Sequence, residues 1–450
     1  MSQRHKQIIL LLGVNVLMWT GCIIDAGFPG QSASGQSGDC NCDDNGTPSF
    51  VCPNDPHITA NLSLGTCEIE ASLQDPITSD LVLDKNTPWV LKGPVFVGGD
   101  NANNATLTIE PGATIRGASK SFLVITRGSR IVAEGTSNDP IVFTSGKFEG
   151  TRGPQDWGGL IINGNAPIQD GEAQGEVGSG LYGGNNPDDD SGVLKYVRIQ
   201  FAGEIVTTDD ELNGLSFQGV GRGTTVDFVQ VHMVSDDGIE FFGGTVDIRH
   251  VVITGAQDDS LDWTSGWQGN AQYVLIEQNT DSSANRGIEA DNDSDNPNET
   301  PTSNPTIANL TLLGGSPKDS EDNDAMRLRR GTMGSLYNFV VSGWTNYCVT
   351  VTESETVSNI ASGDLDADNF VLNCALGDSK DADSSMLLAG KNTSSQDPLL
   401  NGWLPLPGSP ALLNMDLPTG LPTFFEATDY AGAFAENGDW ATGWIEQAKN

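Results

Sequence analysis

Ser235-Asp-Asp-Gly-Ile-Glu240 returns along the chain as Gln257-Asp-Asp-Ser-Leu-Asp262, Ala284-Asn-Arg-Gly-Ile-Glu289 and Asp322-Asn-Asp-Ala-Met-Arg327, with a fainter copy at Thr345-Asn-Tyr-Cys-Val-Thr350. Each copy has Asp or Asn second and an apolar residue fifth. Successive copies begin 22, 27, 38 and 23 residues apart, and the longest interval holds an insertion at residues 291–305. A phrase repeating at this period is one supersecondary unit that cannot bury its own apolar face. Stacked neighbours supply the core, so a solenoid is expected, with carboxylates in register from coil to coil.

The surroundings of the phrase are strand-like. Val226-Asp-Phe-Val-Gln-Val231 precedes the first copy, and Gly238-Ile-Glu-Phe-Phe242 begins inside it. Similar Val/Ile/Leu-rich runs cover residues 193–201, 245–254, 271–278, 306–313 and 335–342. Upstream, Leu107-Thr-Ile-Glu-Pro-Gly112-Ala-Thr-Ile115 aligns with Leu123-Val-Ile-Thr-Arg-Gly128-Ser-Arg-Ile131 at a shift of 16 residues. Alternation puts the first Leu and Ile of each on one side of a strand, and Gly serves the turn. One strand, a turn, a second strand and a return describe an all-β, single-stranded right-handed parallel β-helix.

Composition narrows what such a body can do. The chain has 22 Lys plus Arg against 60 Asp plus Glu, a formal net charge of −38. That balance excludes nucleic acid and anionic membrane surfaces as targets, since both demand a basic patch. It suits a solvated, exported protein that uses divalent cations. Arg4 and Lys6 precede an apolar run from Ile8 to Met18, the layout of a signal peptide. The run ends in Trp19-Thr20-Gly21-Cys22, which resembles a bacterial lipobox with Cys22 as the lipidated residue. The expected organisation is a signal at residues 1–22, a Gly/Ser/Asp-rich tether at 23–50, the β-helix at 51–411 and a C-terminal cap at 412–450. Six further cysteines in an exported chain suggest disulfides. Cys348 and Cys374 stand about one coil apart, whereas spacing leaves the pairing of Cys40, Cys42, Cys52 and Cys67 open.

Several phrases carry a family resemblance: Glu134-Gly-Thr with Pro140-Ile-Val-Phe-Thr144, Trp157-Gly-Gly-Leu-Ile-Ile, Asp237-Gly-Ile-Glu-Phe-Phe-Gly-Gly-Thr245, Arg329-Arg-Gly331, and Tyr430-Ala-Gly-Ala-Phe434 with Asp439-Trp440. Over residues 60–445 the chain resembles exported bacterial right-handed parallel β-helix proteins of pectate-lyase-like fold, lipoprotein type. The resemblance implies fold and export, with such proteins often found on cell surfaces, while Ile23 and Ile24, with no Asp after Cys22, point to an outer-membrane anchor. It implies no particular reaction.

In a parallel stack, equivalent residues lie about 4.8 Å apart. The second position of the phrase becomes a column of Asp236, Asp258, Asn285, Asn323 and Asn346, which reads as an Asx ladder along a turn. The Asp members fit that reading less well, because stacked carboxylates repel. Residues 225–300 hold fifteen Asp plus Glu against two Arg and no Lys. Calcium, a hard oxygen-seeking ion, is the expected counter-ion, with Asp236, Asp237, Glu240, Asp258, Asp259 and Asp262 as ligands. Asp291, Asp293 and Asp295 suggest a second, loop-borne site. The expected function is a monomeric envelope-anchored scaffold that binds a polysaccharide or an envelope protein, with Trp263 and Trp267 as sugar-stacking surfaces. The alternative is a calcium-dependent polysaccharide lyase or hydrolase acting on acidic glycans, with Arg286 and Arg327 as its catalytic residues. His232 and His250 lie on strands and read as packing or surface residues.

Overall fold

A computed structural model describes residues 51–207, 210–278, 285–315, 323–377 and 384–450. Cys22, Cys40, Cys42 and the tether lie outside the described residues, as do Ala284 and Asp322 of the repeated phrase. Period-two patterning makes short strands with one apolar side. In Ile239–Phe242, Ile239 and Phe241 are fully buried while Glu240 and Phe242 are mostly buried on the outer side. Strands of the coils then hydrogen-bond in parallel to their counterparts one coil on, giving a parallel β-helix whose interior is a continuous apolar column, with an antiparallel pair, Ile58–Asn61 and Thr66–Ala71, at its start.

The helix has three faces rather than two. Arg130–Glu134 on the first face and Ile141–Ser145 on the second both pair with Gly192–Gln200, one with each half of that longer strand. From there on the two faces share single strands: Thr225–His232, Asp247–Thr254, Asn270–Glu277, Thr306–Leu313, Gly334–Val351 and Leu365–Leu376. The third face stacks Leu160–Asn163, Leu215–Gln218, Ile239–Phe242, Leu261–Thr264, Ile288–Ala290 and Met326–Leu328. The 16-residue self-similarity upstream is therefore one of faces, not of coils. Leu107 pairs with Ile131 on the first face, whereas Leu123 pairs with Val95 and Leu160 on the third.

One residue bends each shared strand. Tyr196, Phe228, His250, Tyr273, Asn309, Asn338 and Asn369 all have φ between 49° and 63°, and the register skips them. A left-handed conformation suits Asn but costs bulky residues roughly 1–2 kcal/mol each. The aromatic members offset that by stacking, with centroids 4.4 Å apart for Tyr196–Phe228, 4.3 Å for Phe228–His250 and 5.0 Å for His250–Tyr273. The column then becomes an amide ladder, in which Asn369 Nδ2 donates to Asn338 Oδ1 and Asn392 Nδ2 to Asn369 Oδ1, each at 2.8 Å.

Residues 412–450, expected as a cap on the open end, instead run back along this corner and the second face. Asn338 Nδ2 donates to Met415 O and Tyr430 O, Gln272 Nε2 to Glu426 O and Gln230 Nε2 to Glu446 O. The physical reason is that the second face points apolar side chains outward there. Val252 and Leu275 are buried only because Ala433, Phe434, Ala441 and Trp444 cover them. Asn338→Ala removes the side-chain hydrogen bonds to Met415, Thr428 and Tyr430 of the strap and puts Ala where the backbone is left-handed. A loss of about 3 kcal/mol in chemical denaturation is expected from those terms, with Asn338→Gly losing less.

Disulfides close both ends of the solenoid. Cys52 joins Cys67, and Cys348 joins Cys374 across neighbouring coils with Cα atoms 5.3 Å apart.

Candidate functional site

The sixth position of the repeated phrase falls in the middle of the third-face strands and points outward. Register stacks Ser216, Glu240, Asp262, Glu289, Arg327 and Thr350 on successive coils. Three carboxylates are thus consecutive. Alternation sends the next residue of each strand inward, where Phe217, Phe241 and Trp263 stack in the core. The third position lies in the turn just before, with Asp237 and Asp259 more than nine-tenths buried.

The Asx ladder forms, though much of it uses the third position. Asp237 Oδ1 accepts the Asp259 N–H and Asp259 Oδ1 the Arg286 N–H, both at 2.9 Å. Second-position contacts continue it, with Asn285 Nδ2 donating to Asp258 Oδ1 at 2.9 Å. Carboxylate oxygens converge within 4.8 Å in three overlapping groups: Asp236, Asp237 and Asp258; Asp237, Glu240 and Asp262; and Asp259, Asp262 and Glu289. Two excursions meet over this face and desolvate it. Gln169, from the loop after Leu160–Asn163, donates to Asn292 Oδ1 at 2.8 Å and to Pro301 O in the 291–305 insertion. Tyr182 meets Phe242 edge-on.

Burial, first of all, pushes Asp237, Glu240, Asp259 and Asp262 well above the usual carboxylate range. Neighbouring charges push the same way: Asp262 on Asp237, Glu176 on Glu240, Glu289 on Asp259, and Glu240 on Asp262. Burial also raises Glu289, against the pull of Arg286 and Arg329.

The cluster has two unlike halves. Toward the C-terminus it is balanced by arginine: Arg286 Nη1 lies 2.6 Å from Glu289 and 3.4 Å from Asp259, Arg329 pairs with Glu289 and Asp291, and Arg330 with Asp291. Toward the N-terminus, Asp237, Glu240 and Asp262 form no ion pair among the described residues. Asn213 Nδ2 donates to Glu240 Oε2 at 2.6 Å, and Asp262 Oδ1 is buried with no hydrogen-bond partner. An oxygen-only donor set with an orphaned carboxylate oxygen is chemically suited to a hard divalent cation. These are the residues that would hold one.

Other expected site residues fare differently. Arg286 is 6 % exposed and committed to carboxylates, and Arg327 Nη2 lies 2.9 Å from Asp324. Trp263 and Trp267 are 1 % and 0 % exposed. They are core residues, not sugar-stacking surfaces: Trp267 stacks on Phe241 at 3.9 Å, and Trp263 Nε1 donates to Thr332 Oγ1 at 3.1 Å. The loop-borne acidic site does not assemble either. Asp291 turns to Arg329 and Arg330, while Asp293 Oδ1 accepts the N–H groups of Asp295 and Asn296 to close a turn. Asn213 and Glu176, both near Glu240, belong to no repeat copy, and no sequence signal marked them.

No curated protein and no solved structure matches the chain. A family model described as a pectate-lyase-like β-helix domain matches residues 75–445, and the chain belongs to that family.

Proposed function

We propose that this is an exported, lipid-anchored scaffold of the cell envelope that binds polysaccharide and holds a calcium ion in its acidic ladder. Family membership carries the polysaccharide-related role in its general form. The observation behind the metal is the cluster of Asp237, Glu240 and Asp262, desolvated, mutually close and forming no ion pair among the described residues. Asp236 and Asp258 converge with Asp237 in an adjoining group, and Asp259 with Asp262 in another, where Arg286 already pairs with it. When bound, the ion neutralises stacked charge and ties adjacent coils together. The lyase alternative needs a basic group at liberty to take a proton from a sugar. Arg286 and Arg327 are instead occupied with Asp259, Glu289 and Asp324, which favours the scaffold. Anchoring would use Cys22, and the two disulfides suit an oxidising location.

Calcium titrated calorimetrically into the purified protein is expected to bind, with binding lost in Asp237→Asn. A flat titration, or one the substitution leaves intact, sinks the metal assignment. Incubation with polysaccharides and calcium is expected to retain bound chains without cleaving them. New unsaturated or reducing ends would replace the scaffold with a lyase or a hydrolase.

A further inference from the structure

The strap covers one outward row of the second face and runs beside the next. That next row holds His232, Thr254 and Glu277 in strand register. The three form one wall of a pocket of about 290 Å3, and Trp403, Ile445, Gln447 and Lys449 form the other.

Trp263 and Trp267 are sealed in the core, but Trp403 is only half-buried. It is held in place: its ring stacks on Phe434 at 6.1 Å, and its indole N–H donates to the Asp439 carboxylate. In the same pocket, the exposed Glu277 carboxylate makes no hydrogen bond and no salt bridge among the described residues. The exposed Gln447 side chain is likewise uncommitted among them. The other polar groups are taken. His232 bridges Thr254 Oγ1 at 2.6 Å and Ala448 O at 2.8 Å, and Glu446 Oε1 accepts the N–H groups of Gln447 and Ala448.

Charge is already balanced within the pocket. Lys449 is near enough to offset Glu277, and Arg198 approaches Glu446 at 4.0 Å. Burial lowers the pKa of His232 and keeps that ring neutral. A charged ligand finds no complementary charge left over here. A hydroxylated one finds an acceptor, an amide and a ring face.

We propose that this pocket binds a neutral sugar ring of a glycan chain. The C–H face of the pyranose packs on the Trp403 indole, whose ring face is negative. Sugar hydroxyls donate to Glu277 in charge-assisted hydrogen bonds, and Gln447 pairs with a neighbouring hydroxyl. A uronate would instead bring its carboxylate up to Glu277, and like charges repel. The inference rests on the polysaccharide-binding reading and gives it a place and a class: neutral glycan on the second face, apart from the acidic ladder.

The test is calorimetry of the purified chain with short oligosaccharides of glucose, mannose and galactose, and with trigalacturonate, in turn. At least one neutral oligosaccharide is expected to bind at millimolar concentration, and trigalacturonate is not. Trp403→Ala is expected to weaken that binding about tenfold or more, which is about 1.4 kcal/mol. Glu277→Gln, at an exposed position, weakens it several-fold while calcium binding and thermal stability stay unchanged. The inference is overturned if no neutral oligosaccharide binds, if trigalacturonate binds as well and loses affinity in Trp403→Ala, or if both variants keep full affinity. Binding of trigalacturonate alone, or full affinity in both variants, removes this pocket and leaves the polysaccharide reading standing. Binding of none of the glycans removes both.

Discussion

Asp262→Asn is expected to raise the stability of the calcium-free protein by about 1–3 kcal/mol while cancelling its stabilisation by calcium. Asp262 sits between Glu240 and Glu289 in strand register. Two unit charges at such a separation repel by roughly 3 kcal/mol at an effective dielectric near 20. The amide keeps the shape and removes one charge from the column. The pH dependence has a definite sign. Burial first, then the neighbouring carboxylates, raises the folded-state pKa of Asp237, Glu240, Asp259 and Asp262. Their contribution to stability is therefore complete below the ordinary carboxylate range and is lost as pH rises through the raised values. Thermal melts in chelator from about pH 4 to about pH 8 should show this loss, a smaller one in Asp262→Asn, and its reversal by calcium in the parent chain. A variant less stable than the parent in chelator would contradict the uncompensated-charge account.

Trp444→Ala is expected to cost about 3–5 kcal/mol, the range for truncating a fully buried aromatic side chain. Trp444 meets Tyr196 and Phe228 edge-on at 5.6 and 6.0 Å. Its Nε1 donates to Trp440 O at 2.9 Å, and it completes the apolar cluster with Val252, Leu275 and Phe434. Limited proteolysis should then cut within residues 412–450 first, because the strap is released before the coils open. An unchanged denaturation midpoint would show that the strap is held chiefly by its backbone hydrogen bonds.

The acidic ladder was legible because the repeated phrase spans both a turn and the start of a strand. Once aligned, its positions are already columns. The same alternation held the signal that Trp263 is interior, since it follows the outward Asp262. Tryptophan's common use in sugar binding obscured that signal. The left-handed corner had no such trace: Tyr196, Phe228, His250 and Asn309 share a backbone conformation and little else. Without the corner, two faces read as one strand. The pairing of Arg329 with Asp291 bridges 38 residues, and Glu277 and Trp403 meet in one pocket only because the chain turns back. Periodicity reveals what repeats. Interactions each made once, between loops and straps, leave no periodic mark.

The return of the last forty or so residues along the corner and second face also sets an order of events. Coils can stack one upon another as a chain emerges N-terminus first, each templating the next. Gln230, Gln272 and Asn338 nevertheless wait for partners at Glu446, Glu426 and Tyr430, which are made after them. The solenoid is latched only once the strap has followed the coils. Until then Val252 and Leu275 stay uncovered, so the latch closes behind the stack rather than with it.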